Sequence, residues 1–274
     1  MLRTLVIGAH PDEPEIYAGG TAALLARAGH AVKFLTLTNG DAGHHRMDRA
    51  PLAARRAEEA WRAADALGVI DYDILDTHDG ELEPSVAMRS QVITAIRGWR
   101  ADVVIALHGH GPGHPDNRAA GRLAADAVSF VTNRNVTAGK PPLPRQPVCL
   151  IMTDYASTSF HRHEVAVDVD DVLEAKLDGC LAHASQFLEY APWQRGFLDR
   201  APAAGDVEAG RAFVAEHWAR FLAVPEGARP ALEARYGARH ASGVRHAETF
   251  ERAPYGRQVT EEELRELLPI FGEG

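Results

Sequence analysis

Five short apolar runs, at residues 2–8, 31–37, 72–75, 103–107 and 148–152, punctuate the first 152 residues of the chain. Each is only a few residues long and bounded by polar or turn-forming residues, which predicts a buried β-strand. Helical spacing fills the gaps between most of them and predicts helices over 17–28, 51–67, 84–99 and 117–131. Pro51 opens the second helix at its first turn and Gly68 closes it, as Gly29 closes the first. Strands that alternate with helices imply parallel pairing through right-handed crossovers, hence an α/β fold with a mostly parallel, Rossmann-like sheet flanked by helices.

Beyond the fourth helix the pattern lapses. Residues 133–147, NRNVTAGKPPLPRQP, carry four prolines and no periodic apolar face, which predicts a long surface loop. A helix is expected over 170–190. Residues 191–274, rich in Ala, Gly and Arg, read as a C-terminal appendage on the same core. With no internal repeat and no boundary signal, residues 1–274 are expected to form a single domain.

Composition narrows the function. At 274 residues, 46% hydrophobic and 24% charged, the chain can bury one sizeable core as a globular enzyme does. A net charge of −9 without a basic run excludes a nucleic-acid binder that works by neutralising phosphates. The apolar stretch at 2–9 is too short to span a membrane and lacks a secretory signal pattern, so the cytoplasm is the expected location. Cys149 and Cys180 are too few for a disulfide framework and are expected as small buried hydrophobes. Oligomeric state is left open.

The chemistry sits at strand ends, where open α/β sheets collect their ligands. The first strand runs directly into His10-Pro-Asp-Glu13. A spacing of three lets one turn aim His10 and Glu13 at a common metal ion. Asp12 faces elsewhere and is free to act as general base toward a water that the metal activates. The fourth strand ends in Leu107-His-Gly-His-Gly-Pro-Gly-His114-Pro-Asp-Asn117, which brings three histidines, an Asp and an Asn to the same rim. A lone His-Pro-Asp is ordinarily a turn with a local side-chain hydrogen bond. Two copies, each after a strand, point to a site.

Other features read more blandly. Gly19 and Gly20 lack the fingerprints of a dinucleotide or phosphate loop and are expected to permit close helix–strand packing. His44 and His45 are expected as solvated loop residues. Arg56 and Glu59, one turn apart, read on pattern alone as a surface ion pair. Tyr190 and Trp193 are expected in the core, with stacking on a sugar as the alternative.

Taken together the two rim segments resemble the PIG-L (LmbE-like) deacetylase family, metal-dependent hydrolases that remove acyl groups from N-acylated amino sugars. The resemblance rests on VIGAHPDEPEIYAGGTAALLARAGHAV, LTNGDAG, the Arg56-x-x-Glu59 helix ending in LG, DVVIALHGHGPGHPDNRAAGRLAADA, AHASQF and HAETFE. It implies an LmbE-like fold and a divalent metal, Zn2+ foremost, on His10, Glu13 and a third donor at Asn117. It also implies Asp12 as base, His114 as oxyanion stabiliser supported by Asp116, and Arg56 as a binder of substrate polar groups. The implied substrate is a small N-acylated amino sugar or glycoconjugate.

Two positions depart from the family. Glu13 replaces an aspartate, which keeps the charge, and Asn117 replaces a histidine. A neutral amide oxygen is a weak donor to zinc. Asn117 ligating through that oxygen, His108 or His110 swinging in from the glycine-rich loop, or a metal-free sugar-binding protein are all compatible with the sequence.

Overall fold

The apolar runs become strands because both their faces are covered. In the computed structural model of the chain, which describes residues 1–203 and 205–268, the five expected strands are β1 (Arg3–Gly8), β2 (Ala31–Thr36), β3 (Asp71–Ile74), β4 (Val103–Ala106) and β5 (Val148–Met152). Every residue of β2, β4 and β5 is buried. All five pair in parallel. Two further strands, β6 (Val165–Asp168) and β7 (Ala247–Arg252), complete a seven-stranded sheet in the order β3-β2-β1-β4-β5-β7-β6, with β7 antiparallel to both neighbours.

Neither β6 nor β7 was anticipated, and residues 191–274 are more than an appendage, because β7 lies inside the sheet. Its sequence, AETFER, hides the strand behind charge. Tertiary partners make that charge tolerable: Glu248 meets Lys176 Nζ at 2.7 Å with both side chains buried, and Glu251 meets Arg162 Nη2 at 3.0 Å.

Helices α1 (Glu13–Arg27), α2 (Arg49–Leu67), α3 (Val86–Trp99) and α4 (Pro115–Val128) supply the crossovers. The helix expected over 170–190 is broken. A 3-10 turn at Asp170–Val172 leads into α5 (Leu173–Ala182), and after His183 a wider π-turn covers Ser185–Tyr190. Short helices α6 (Ala191–Gln194), α7 (Val207–His217), α8 (Arg229–Tyr236), α9 (Ala238–Gly243) and α10 (Glu261–Leu267) complete the described chain. None of the described helices is long and apolar enough to cross a membrane.

The 133–147 segment contains neither helix nor strand, as expected. Buried Arg97 anchors it by donating to the backbone carbonyls of Val131, Thr137 and Asn133. Cys149 and Cys180 are free and buried. Gly20 does serve packing, since a methyl group there would lie 2.6 Å from Val169 Cγ1.

Strand order positions the site. The chain winds outward from β1 to β3, then returns across the sheet to β4 on the other side of β1. The β1/β4 crevice is therefore the switch point, and its carboxyl rim is where both polar segments emerge. Helix α4 sits tightly on the β4 end: a Cβ at Gly121 would lie 2.4 Å from the Leu107 carbonyl oxygen and 2.5 Å from that of His108. Gly121→Ala should therefore push α4 off the rim and destabilise the fold by roughly 1–3 kcal/mol. Urea unfolding measures it, and an unchanged midpoint would show that the helix has room to spare.

Candidate active site

The turn between β1 and α1 is strained at Asp12, whose φ of 126° and ψ of −26° suit glycine rather than a side-chain-bearing residue. Glu13, the first residue of α1, folds its carboxylate back over the turn. Its Oε2 accepts the backbone N–H of Ala9 at 2.7 Å and of His10 at 3.0 Å. The helix N-terminus favours this negative charge. With Oε2 so engaged, Oε1 lies 3.4 Å from His10 Nδ1.

From the β4 side, His114 caps α4, and its Nδ1 accepts the Asp116 N–H at 3.3 Å. That places the ring proton of a neutral His114 on Nε2. The Asp116 carboxylate accepts the Gly80 N–H at 2.7 Å and approaches His10 Nε2 at 3.4 Å. Asp79 Oδ1 lies 3.1 Å from the same His10 nitrogen. Both carboxylates are at ion-pair distance but off the hydrogen-bond axis. The rings of His10 and His114 meet edge to face at 4.8 Å, and His10, Asp79 and His114 each offer a ligand atom within 4.8 Å of the others.

Asn117 Nδ2 donates to Asp154 Oδ2 at 3.1 Å. Because a carboxylate only accepts, this contact orients the amide, and Asn117 Oδ1 is left buried with no hydrogen-bond partner.

Arg56 is the fixed cation among these acids. It is 2% exposed, and it donates through Nη1 to the Gly40 carbonyl at 3.0 Å and through Nη2 to the Pro11 carbonyl and to Asp12 Oδ2 at 3.0 Å. Burial pushes the Asp12 carboxyl up to about 6 despite the opposing pull of Arg56. Burial also works against a charged His10, but Glu13, Asp116 and Asp79 outweigh it and raise its pKa well above the ordinary value. For Asp79, His10 and Arg56 overcome burial and hold the carboxyl at about 2. Three carboxylates thus draw a proton onto His10. The pocket has room for more positive charge than its side chains supply.

Several expectations need correction. Arg56 and Glu59 are not a surface pair, for both are buried on the same face of α2 as Leu52, Ala60 and Ala63. Glu59 instead accepts the backbone N–H of Ser185 at 3.0 Å, its hydroxyl at 2.5 Å, and Arg55 Nε at 2.9 Å. Nor is His44 solvated: its side chain is nearly buried, Nε2 meets Glu189 at 2.9 Å, and Nδ1 accepts the N–H of Met47. His45 stacks on His44 and on Trp193, which is 49% exposed and so not a core residue. His108 and His110 do not join the His10 cluster. His108 Nε2 pairs with His161 Nδ1 at 2.9 Å, and the His110 ring packs against Phe160.

Asp79 was missed. Its signal was present, because Asp76-Thr-His-Asp79-Gly80 follows β3 as His10-Pro-Asp-Glu13 follows β1. Beside Asp12 and Glu13 opens a cavity of about 290 Å³ whose walls include Tyr17, Tyr155, Trp218 and Arg220.

Comparison with known proteins identifies the family of the chain. The PIG-L family, described as GlcNAc-PI de-N-acetylase, matches residues 5–128, a span that holds every residue of the two rim segments. The diacetylchitobiose deacetylase of Thermococcus kodakarensis is 36% identical over 196 residues, 68% of this chain and 71% of that protein. The structure of N,N'-diacetylchitobiose deacetylase from Pyrococcus horikoshii, complexed with an inhibitor, superposes with a TM-score of 0.68 at 27% identity over 92% of this chain and 83% of that one. A 4-carboxy-2-hydroxymuconate hydratase from Pseudomonas putida KT2440 reaches the same TM-score at 19% identity over 95% and 99%, a likeness of fold alone. By the identity and coverage of the Thermococcus relative and the match of the family over both rim segments, the chain belongs to the PIG-L (LmbE-like) deacetylase family.

Proposed function

We propose that the protein is a cytoplasmic, metal-dependent N-deacetylase that hydrolyses the amide of an N-acylated amino sugar or related glycoconjugate. One observation carries the reading: the strained Asp12 carboxyl stands beside an acid-rich pocket that is short of positive charge. The donors suit a divalent cation, since His10 Nδ1 and Glu13 Oε1 lie 3.4 Å apart and Asn117 Oδ1 is buried with nothing donating to it. We assign the ion, zinc first, to these three residues. When bound it supplies Lewis-acid polarisation of the acyl carbonyl and acidifies water.

The chain's own residues do the rest. Asp12, mostly ionised at neutral pH, takes the proton of the attacking water and returns it to the departing amine. Arg56 fixes Asp12 Oδ2 and the carbonyl before it, so its first task is to position the base, and its terminal nitrogens are already engaged, Nη2 there and Nη1 at the Gly40 carbonyl. Substrate binding, the role implied for Arg56 by the family, falls more naturally to the cavity walls. His114, whose Nδ1 is spent on the helix cap, directs Nε2–H toward the oxyanion of the tetrahedral intermediate. Asp79 and Asp116 flank His10 Nε2 at 3.1 and 3.4 Å and favour the charged ring. Tyr17, Tyr155 and Trp218 offer aromatic faces for the apolar side of a sugar ring.

Asp12→Asn should lower kcat by about 10²–10⁴ while bound metal is retained. Loss of metal in that variant would make Asp12 a ligand instead. In the wild type kcat/KM should fall as pH drops and Asp12 takes up its proton, with the acid limb at or below pH of about 6, because a nearby cation lowers a carboxyl further. A limb well above that value contradicts the assignment.

The closeness of His10, Asp79 and His114 favours a second ligand set made of those three residues, with Asp79 and His114 in place of Glu13 and Asn117. Titration with zinc separates the two. Asn117→His, which preserves a donor toward Asp154, should tighten zinc binding, and Asp79→Asn should leave the zinc content intact. Zinc lost from Asp79→Asn would establish the second set.

A further inference from the structure

We infer that His108, His161 and Glu251 form a second divalent-metal site that shares no ligand with the His10 cluster. The three residues come from separate segments: His108 just beyond β4, His161 in the connection from β5 to β6, and Glu251 on β7. His108 Nε2 and His161 Nδ1 lie 2.9 Å apart, and Glu251 Oε1 lies 3.6 Å from the first and 3.7 Å from the second. All three side chains are buried.

The two rings share a hydrogen bond, but at 3.6 and 3.7 Å Glu251 is hydrogen-bonded to neither of them. A charge-assisted bond between imidazole and carboxylate closes to about 2.7–2.9 Å. Here the carboxylate stands off both rings by nearly an ångström more. Ligands on a tetrahedral ion with bonds of 2.0–2.1 Å sit ~3.4 Å apart, so the triangle needs only small adjustments to close on one. Binding replaces the hydrogen bond between the rings: the ring protons then sit on His108 Nδ1 and His161 Nε2, both otherwise unpartnered, and His108 Nε2 and His161 Nδ1 each give a lone pair.

Supporting contacts and access complete the case. Arg162 holds Glu251 from the side, its backbone N–H on Oε1 at 2.9 Å and its guanidinium on Oε2 at 3.0 and 3.2 Å. Such outer contacts orient a ligating carboxylate. A cavity of about 630 Å³, with Arg162, His110 and Phe160 in its wall, reaches the Glu251 member of the cluster. It is a different cavity from the one beside Asp12. Two imidazoles and one carboxylate select zinc or a similar borderline ion over calcium or magnesium. Bound there, the ion would clasp β7 to the end of β4.

The probe is zinc alone. Metal-free protein is equilibrated with excess Zn2+, desalted and analysed for metal per chain, as wild type, His161→Ala, Glu251→Gln and His10→Ala, each checked for folding by circular dichroism. The site predicts about one ion fewer in His161→Ala and in Glu251→Gln than in wild type, and in His10→Ala an ion that raises Tm. Equal zinc content in wild type and in whichever of the two cluster variants folds overturns it, as does a wild type that takes up none. Because His10→Ala disables the other site, the two assignments fail independently.

Discussion

The buried guanidinium of Arg56 is the contact on which the site depends. It bridges the turn after β1 and the loop after β2, through the Pro11 and Gly40 carbonyls, and it holds the carboxylate of Asp12. Burying an arginine carries a desolvation cost that only well-placed acceptors offset. Those acceptors dictate their neighbours. Gly40 adopts φ of +68°, and a Cβ there would meet Arg56 Nη1 at 2.4 Å, so only glycine lets the loop close over the cation. The strained backbone of Asp12 persists because this lattice surrounds it. One turn further along α2, Glu59 ties the π-turn at Ser185 to the same helix face.

Charge then decides what the pocket can do. Asp12, Glu13, Asp79 and Asp116 gather at the switch point with Arg56 as the permanent countercharge, and the imbalance falls on His10. A divalent cation relieves it in one step, whereas a neutral ligand would leave the acids repelling one another. The same fold carries a hydratase, so the sheet and its switch point do not by themselves select amide hydrolysis. On the proposed mechanism, selection rests with Asp12 as the base and with Nε2 of His114.

Much of this was legible in the chain. The continuous apolar runs of β1, β2, β4 and β5 mark buried parallel strands, and the two His-Pro-Asp segments follow two of them. Strand β7 was not legible, because Glu248 and Glu251 mimic a polar segment until Lys176 and Arg162 arrive from elsewhere in the chain. Arg56 was misread through its charge, although positions 52, 56, 59, 60 and 63 lie on one helical stripe. Asp79 was readable by the rule that found His10. The orphaned oxygen of Asn117 was not, since Asp154, which turns the amide, lies far away in sequence beyond β5.

The most direct measurement is amine release from N-acetylated amino sugars by chelator-treated protein, before and after zinc is restored. The account predicts negligible release without metal and recovery when zinc is added back to a folded, zinc-loaded chain. Equal release by the metal-free protein, or none from any such sugar after reloading, would contradict it.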